Sequence, residues 1–248
     1  MLGLAAAAVL GPVVVHDSRE TSPLGSVGER PGTFAAAPVA YERRVGDWVQ
    51  WWLPFGRNDQ DRGIVRTGRH AGDWELVQVR VDDAGHPVEA VFAQHSGAER
   101  CPWSAIEKRG GAPVIYLANG SHAAYFRPGA RDRTWPDPND EADGRGRAVV
   151  PAVEPLGEWA RWPGRWGGAE ASWVPGEMDS PRGPAFQPQG RWSDPDAWAQ
   201  AARPCTFSGC DEVGECDGVE TALAVGGALA ALVVGVWWWR RRTSTAAG

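Results

Sequence analysis

Three ionisable side chains crowd the stretch RHAGDWELVQVRV at 69–81: His70, Asp73 and Glu75. Two carboxylates and an imidazole within six positions are the donor types that hold a divalent cation such as Mg, Mn, Ca or Zn. They also suit general acid–base chemistry, in which a carboxylate raises a histidine's pKa into the working range. Two more histidines are placed to join them. His95 ends the run VEAVFAQH, and His122 lies in the turn NGSH after an apolar run. The bland reading is that Asp73 and Glu75 only accept backbone N–H groups where a strand begins.

The elements that would position these groups are readable. LVQVRV (76–81) alternates, DDAGHP (82–87) supplies turn residues, and VEAVFAQH (88–95) returns, which predicts a hairpin. With the turn centred near Ala84, opposed indices sum to about 168, so Asp73 is expected to face His95 to within about one residue. Strand periodicity aims Asp73 and Glu75 to one face. PVIYLA, from Pro113 to Ala118, reads as a strand buried on both faces, leaving Ser121 and His122 just past its end. VGDWVQWWLPF (45–55) is an aromatic-rich strand expected to stop at its proline, and GRNDQDRG (56–63) is a polar loop carrying Asp59 and Asp61. A serine hydrolase is less attractive. There is no G-x-S-x-G, and Ser96 and Ser121 adjoin histidines only in sequence, where strand neighbours point to opposite faces.

Fifteen Trp, 32 Gly and 20 Pro in 248 residues favour a mainly β fold over a helical bundle. The expected architecture is a single β-sandwich-like domain over 39–204, with long Trp/Gly/Pro-rich loops and one short helix near Asp194–Ala202. The loop tryptophans would form a second layer of core or, less often, stack on carbohydrate. Residues 16–38 read as a linker. A net charge of −6 and no basic tract outside the C-terminus argue against nucleic acid as a partner. Cys101, Cys205, Cys210 and Cys216 suggest two disulfides with three possible connectivities, and no histidine stands near the last three to complete a zinc site.

From Thr221 to Trp239 no charge occurs, a length of about 28 Å as a helix. Three tryptophans and then Arg240, Arg241 and Arg242 close it, the pattern of an aromatic belt and a cytoplasmic flank. These features predict one C-terminal transmembrane helix over 219–239, a Cys-rich juxtamembrane segment at 205–218 and a cytoplasmic tail at 240–248. The bulk of the chain is then extracytoplasmic at the cell membrane. The apolar residues of 1–15 have signal-peptide length but no basic n-region.

The series WVQWWLPFGRNDQ, HAGDWELVQVRV, VFAQHSG, APVIYLANGSHAAYF and GRWGG resembles bacterial relatives of the vacuolar protein sorting-associated protein 62 family. That resemblance covers roughly 39–200 and implies a fold and a site more than a reaction. The chain is also distantly similar to necrosis-inducing (NLP) cytolysins, whose G-H-R-H-D-W-E heptapeptide lies in a β-sandwich. There a His, the Asp and the Glu help hold a divalent cation used in binding glycosylated sphingolipid head groups. Aligned on Asp-Trp-Glu, His70, Asp73 and Glu75 take those places, while Gly72 stands where the family has its second histidine. The family's upstream liganding aspartate has no exact counterpart, so Asp59 or Asp61 would have to serve.

The expectation is therefore a membrane-anchored extracytoplasmic domain. It would hold a divalent cation at His70, Asp73 and Glu75 and bind a polar glycan or lipid head group near Asp59, Asp61, His95, Ser121 and His122. One alternative is a metal-assisted hydrolase of cell-envelope phosphoesters or glycosides, with His95 or His122 as acid–base partner. Another is a purely structural surface domain.

Overall fold

The computed structural model describes residues 9–59, 68–131, 140–168 and 178–205. Asp61, Cys210, Cys216 and the apolar segment 219–239 lie outside the described residues. Among the described residues, no helix is long and apolar enough to cross a membrane.

The fold is mainly β, as the composition predicts. The larger sheet runs, edge to edge, Ala152–Pro155, Val39–Val45, Trp48–Asn58, His70–Val81, Pro87–Gln94, Gly97–Pro102 and Arg203–Pro204. Its five long strands pair antiparallel, and the two short edge strands pair parallel. The smaller sheet centres on Ala112–Leu117 and Val13–Val15, which pair in parallel. Ala124–Tyr125 and Ala148–Val149 flank them.

Alternation sets what each face buries. Val49, Trp51, Leu53, Phe55, Val77 and Val79 of the larger sheet meet Val14, Ile115 and Leu117 of the smaller one in a common core. Val114 and Tyr116 bury the opposite face of the smaller sheet, so the PVIYLA run is covered on both sides as expected. The far face of the larger sheet presents Trp48, Trp52, Trp74 and Leu76 to a layer bearing Trp159, Trp166 and Trp198. Trp74 stacks on Trp159 with centroids 5.5 Å apart and meets the edge of Trp166 at 5.1 Å. Such pairs add about 0.5–1.5 kcal/mol each beyond their buried area. The tryptophans thus serve as a second core layer.

A buried glutamine pair pins this layer. Gln50 donates to Gln78 at 2.9 Å and to the Arg191 carbonyl at 2.8 Å, while Gln78 donates to the Pro195 carbonyl at 3.0 Å. The helix Pro195–Ala201 starts there, capped by Asp194, which accepts from the Ala197 N–H at 3.0 Å.

Two expectations need correction. The strand 48–58 passes through Pro54 instead of stopping there. The Pro54 carbonyl accepts from Gly25 N, so the ring nitrogen also faces Gly25, away from the partner strand, and no ladder bond to Trp74 is lost. Secondly, the folded unit begins before Val39. Val13–Val15 lies inside the smaller sheet, and within 16–38 Leu24 and Ser26 are buried and Ser26–Val27 pairs with Phe34–Ala35. Of the four cysteines, Cys101 and Cys205 form a disulfide.

Candidate functional site

The predicted hairpin forms, with Val77 opposite Phe92 and Val79 opposite Ala90, an index sum one residue from the expected value. Asp73 and Glu75 share the parity of Val77 and Val79, so they point into the space between the sheets, near its open end. Both are buried. His122 enters the same space from the turn after Ala112–Leu117, at a left-handed φ of 58°. Its ring lies flat on Phe55, 3.9 Å between centroids and 5° from parallel.

Two carboxylates clasp that imidazole. His122 Nδ1 stands 3.0 Å from Asp73 Oδ2, and Nε2 stands 3.6 Å from Glu20 Oε2, an ion-pair distance beyond a hydrogen bond. Burial alone would lower the His122 pKa. The Asp73 hydrogen bond and the Glu20 carboxylate outweigh burial and hold it at about 9. Asp73 is held below its ordinary value although burial opposes this, chiefly by His122 and also by His70 and Asn58. Glu20 falls to about 2, where burial is overcome by His122 and by N–H groups of Ser22 and Gly120 at 2.6 and 2.7 Å. The centre of the site is thus a buried imidazolium between two carboxylates, with the Arg191 charge near Glu75 and Asp73.

The expected cation ligands are disposed otherwise. Asp73 Oδ2 takes the His122 ring and Asn58 Nδ2 (3.1 Å), and Oδ1 accepts from Trp74 N (2.9 Å). His70 Nδ1 lies 2.6 Å from the Gly72 carbonyl, to which it can donate. Among the described residues, no group of three His, Cys, Asp or Glu side chains is arranged to hold a metal ion. Asp73 thus accepts hydrogen bonds from protein donors at both oxygens.

His95 is also elsewhere. The chain turns at His95–Ser96, pairing Gln94 with Gly97, so His95 swings away from Asp73. Its Nε2 sits 2.9 Å from Asp140 Oδ2. Asp140 also accepts from Ser121 Oγ at 2.7 Å and Tyr125 OH at 2.5 Å. Ser121 therefore donates to a carboxylate and not directly to a histidine.

Gly72 lets the strand pass close under the tryptophan layer. Its φ is 71°, and a Cβ there would lie 2.1 Å from the Trp166 carbonyl oxygen. No histidine side chain could stand at that position against the tryptophan layer.

Beside the clasped imidazole a cavity of about 200 Å3 opens to solvent, lined by Arg19, Glu20, Ser22, Arg57, Asp59 and Asn119, with Thr21 and Gly120 completing the wall. Asp59 N donates to the Gly120 carbonyl at 2.8 Å, joining the end of one sheet to the turn of the other. Arg57 pairs with Asp59 at 3.5 Å. Arg19 donates to Asp17 at 2.9 Å and also contacts Glu141. The sequence flagged Asp59 for its family position. It offered no signal for Glu20 or Arg191, which reach the site from segments with no periodic pattern.

Residues 60–133 match the family model described as vacuolar protein sorting-associated protein 62. No curated relative matches the chain. Solved structures with a similar fold include NLPPya in complex with glucosamine, 15% identical, covering 61% of this chain and 74% of that one with a TM-score of 0.39. The non-toxic HaNLP3 protein is 13% identical and covers 80% of this chain and 90% of its own, with a TM-score of 0.41. Necrosis and Ethylene inducing Protein 2, from the causal agent of cocoa's Witches Broom disease, is 14% identical, covering 61% and 77% at a TM-score of 0.35.

Proposed function

We propose that this domain recognises a polar, hydroxyl-rich ligand, a glycan or a lipid head group, in the cavity beside Glu20 and Asp59. The observation that carries this reading is the cavity wall. Cationic Arg19 and Arg57, anionic Glu20 and Asp59, the Asn119 amide and the Ser22 hydroxyl surround one space of about 200 Å3. A wall of mixed sign, dense in donors and acceptors, suits hydroxyl groups, which donate and accept together. It does not suit an apolar guest, which needs a predominantly hydrophobic lining. His122, held between Asp73 and Glu20, ties the two sheets behind the cavity and fixes its rear wall.

In this reading the positive charge at the centre is the protein's own imidazolium. The apolar segment 219–239 would tether the domain at the outer face of a membrane, with the cavity presented to the cell exterior. Hydrolysis is less favoured, because His122 is fully buried and Ser121 is bound to Asp140, whereas an acid–base or nucleophilic group must reach a substrate. The test is a binding titration of the full chain in detergent against soluble glycans and inositol-phosphate head groups. Saturable binding that Asp59→Ala and Asn119→Leu weaken at least tenfold supports the proposal, and equal affinity in both variants removes the cavity from it.

A further inference from the structure

His16 is used by none of the contacts above, and its burial is costly. The residue is 3% exposed, and neither ring nitrogen has a hydrogen-bond partner among the described residues. Its backbone continues the smaller sheet, with His16 N donating to the Arg147 carbonyl and its own carbonyl accepting from Gly146, each at 3.1 Å. Val14 points into the inter-sheet core, and strand alternation sends His16 to that same side. There it lies close enough to Glu20 and His122 to feel both charges, with Arg147 the other cation nearby. His122 Nε2 makes no hydrogen bond among the described residues, its ion-pair partner Glu20 standing at 3.6 Å. Buried polar atoms left without partners cost about 1–3 kcal/mol each, so a fold seldom keeps several together unless something occupies them.

We infer that the space behind Glu20 is a subsite for a single hydroxyl group, received by the His16 imidazole and supplied either by water or by the ligand of the adjoining cavity. The second source rests on the function proposed above; the subsite itself does not. Burial holds His16 down to about 4, so at neutral pH its ring carries one N–H donor and one bare acceptor nitrogen. A hydroxyl or water oxygen answers both roles at once. A carboxylate offers acceptors only and would meet Glu20, and an ammonium group offers donors only and would meet the His122 charge. Glu20 lines the cavity on one side and faces His122 on the other, so it stands between the cavity and the buried histidines.

The experiment joins a high-resolution crystal structure to imidazole 15N NMR of the full chain in detergent, with myo-inositol and methyl glucoside as probes. The expected result is an oxygen within about 3.2 Å of a His16 ring nitrogen. It should persist in His16→Gln, which keeps a donor and an acceptor, and vanish in His16→Leu. If a probe shifts the His16 nitrogens, the oxygen comes from the ligand; if water is present and no probe shifts them, it comes from solvent. Either outcome supports the subsite. Direct hydrogen bonding of both ring nitrogens to protein groups, or a dry space around the ring, overturns it. Failure of the functional proposal reads differently: no probe would shift Asn119 or Gly120, while the oxygen at His16 would remain.

Discussion

Asp73 Oδ2 and His122 Nδ1 stand 3.0 Å apart across the space between the sheets, joining the HAGDWE strand of one to the GSHA turn of the other. The two most distinctive motifs of the sequence are therefore two halves of one ion pair. Removing the ring would leave Asp73 and Glu20 facing each other's charge without a cation between them. His122→Ala should destabilise the protein by about 3–5 kcal/mol, the usual cost of breaking a buried pair. Urea denaturation measures it, and a loss under 1 kcal/mol would mean the pair is not the tie described.

The same residues set a pH optimum. His122 has a folded pKa of about 9, above the ordinary histidine value of 6.5, so its contribution is complete below pH 6.5 and is lost as pH rises toward 9. His16, depressed to about 4, contributes fully above pH 6.5 and loses its contribution as pH falls toward 4. Glu20, depressed to about 2, adds a further loss between pH 4.5 and 2. Melting temperature should therefore peak near pH 6.5. In His122→Gln the alkaline arm should flatten and the acid arm should shrink where Glu20 loses its partner, and unchanged arms in that variant would contradict the assignment.

Gly72 predicts a steric failure. Alanine there must adopt a φ of 71° and place its Cβ 2.1 Å from a backbone oxygen of Trp166. Gly72→Ala should unfold the protein or strip the tryptophan layer from the sheet, read as loss of near-ultraviolet circular dichroism. A melting temperature within 2 °C of wild type, on the scale where about 1 kcal/mol shifts it 2–4 °C, would refute the close approach.

The Cys101–Cys205 bond links positions 104 residues apart and fastens the last described strand to the sheet edge. Reduction, or Cys205→Ser, should cost about 2–5 kcal/mol. Denaturation with and without reductant checks it.

Much of the site was legible because it lies on local pattern. Alternation in LVQVRV fixed the inward face of Asp73 and Glu75, and the hairpin register was right to one residue. The error with His95 came from extending that ladder past Phe92, where the chain had room to turn at His95–Ser96 into the next strand. His16 and Glu20 were invisible for a different reason. They depend on a three-residue strand, Val13–Val15, paired with Val114–Tyr116 about 100 residues away, and no local pattern records so distant a pairing. Read alone, that segment looks like signal and linker. Residue types alone likewise do not reveal that His122 and Asn58 hold Asp73.

The most direct test of the central claim is backbone amide NMR of the full chain during titration with glycans and inositol phosphates, with EDTA present throughout. The account predicts saturable shifts at Glu20, Ser22, Asp59, Asn119 and Gly120, undiminished by the chelator. Shifts confined to other surfaces, or binding that appears only when a divalent cation is restored, would contradict it.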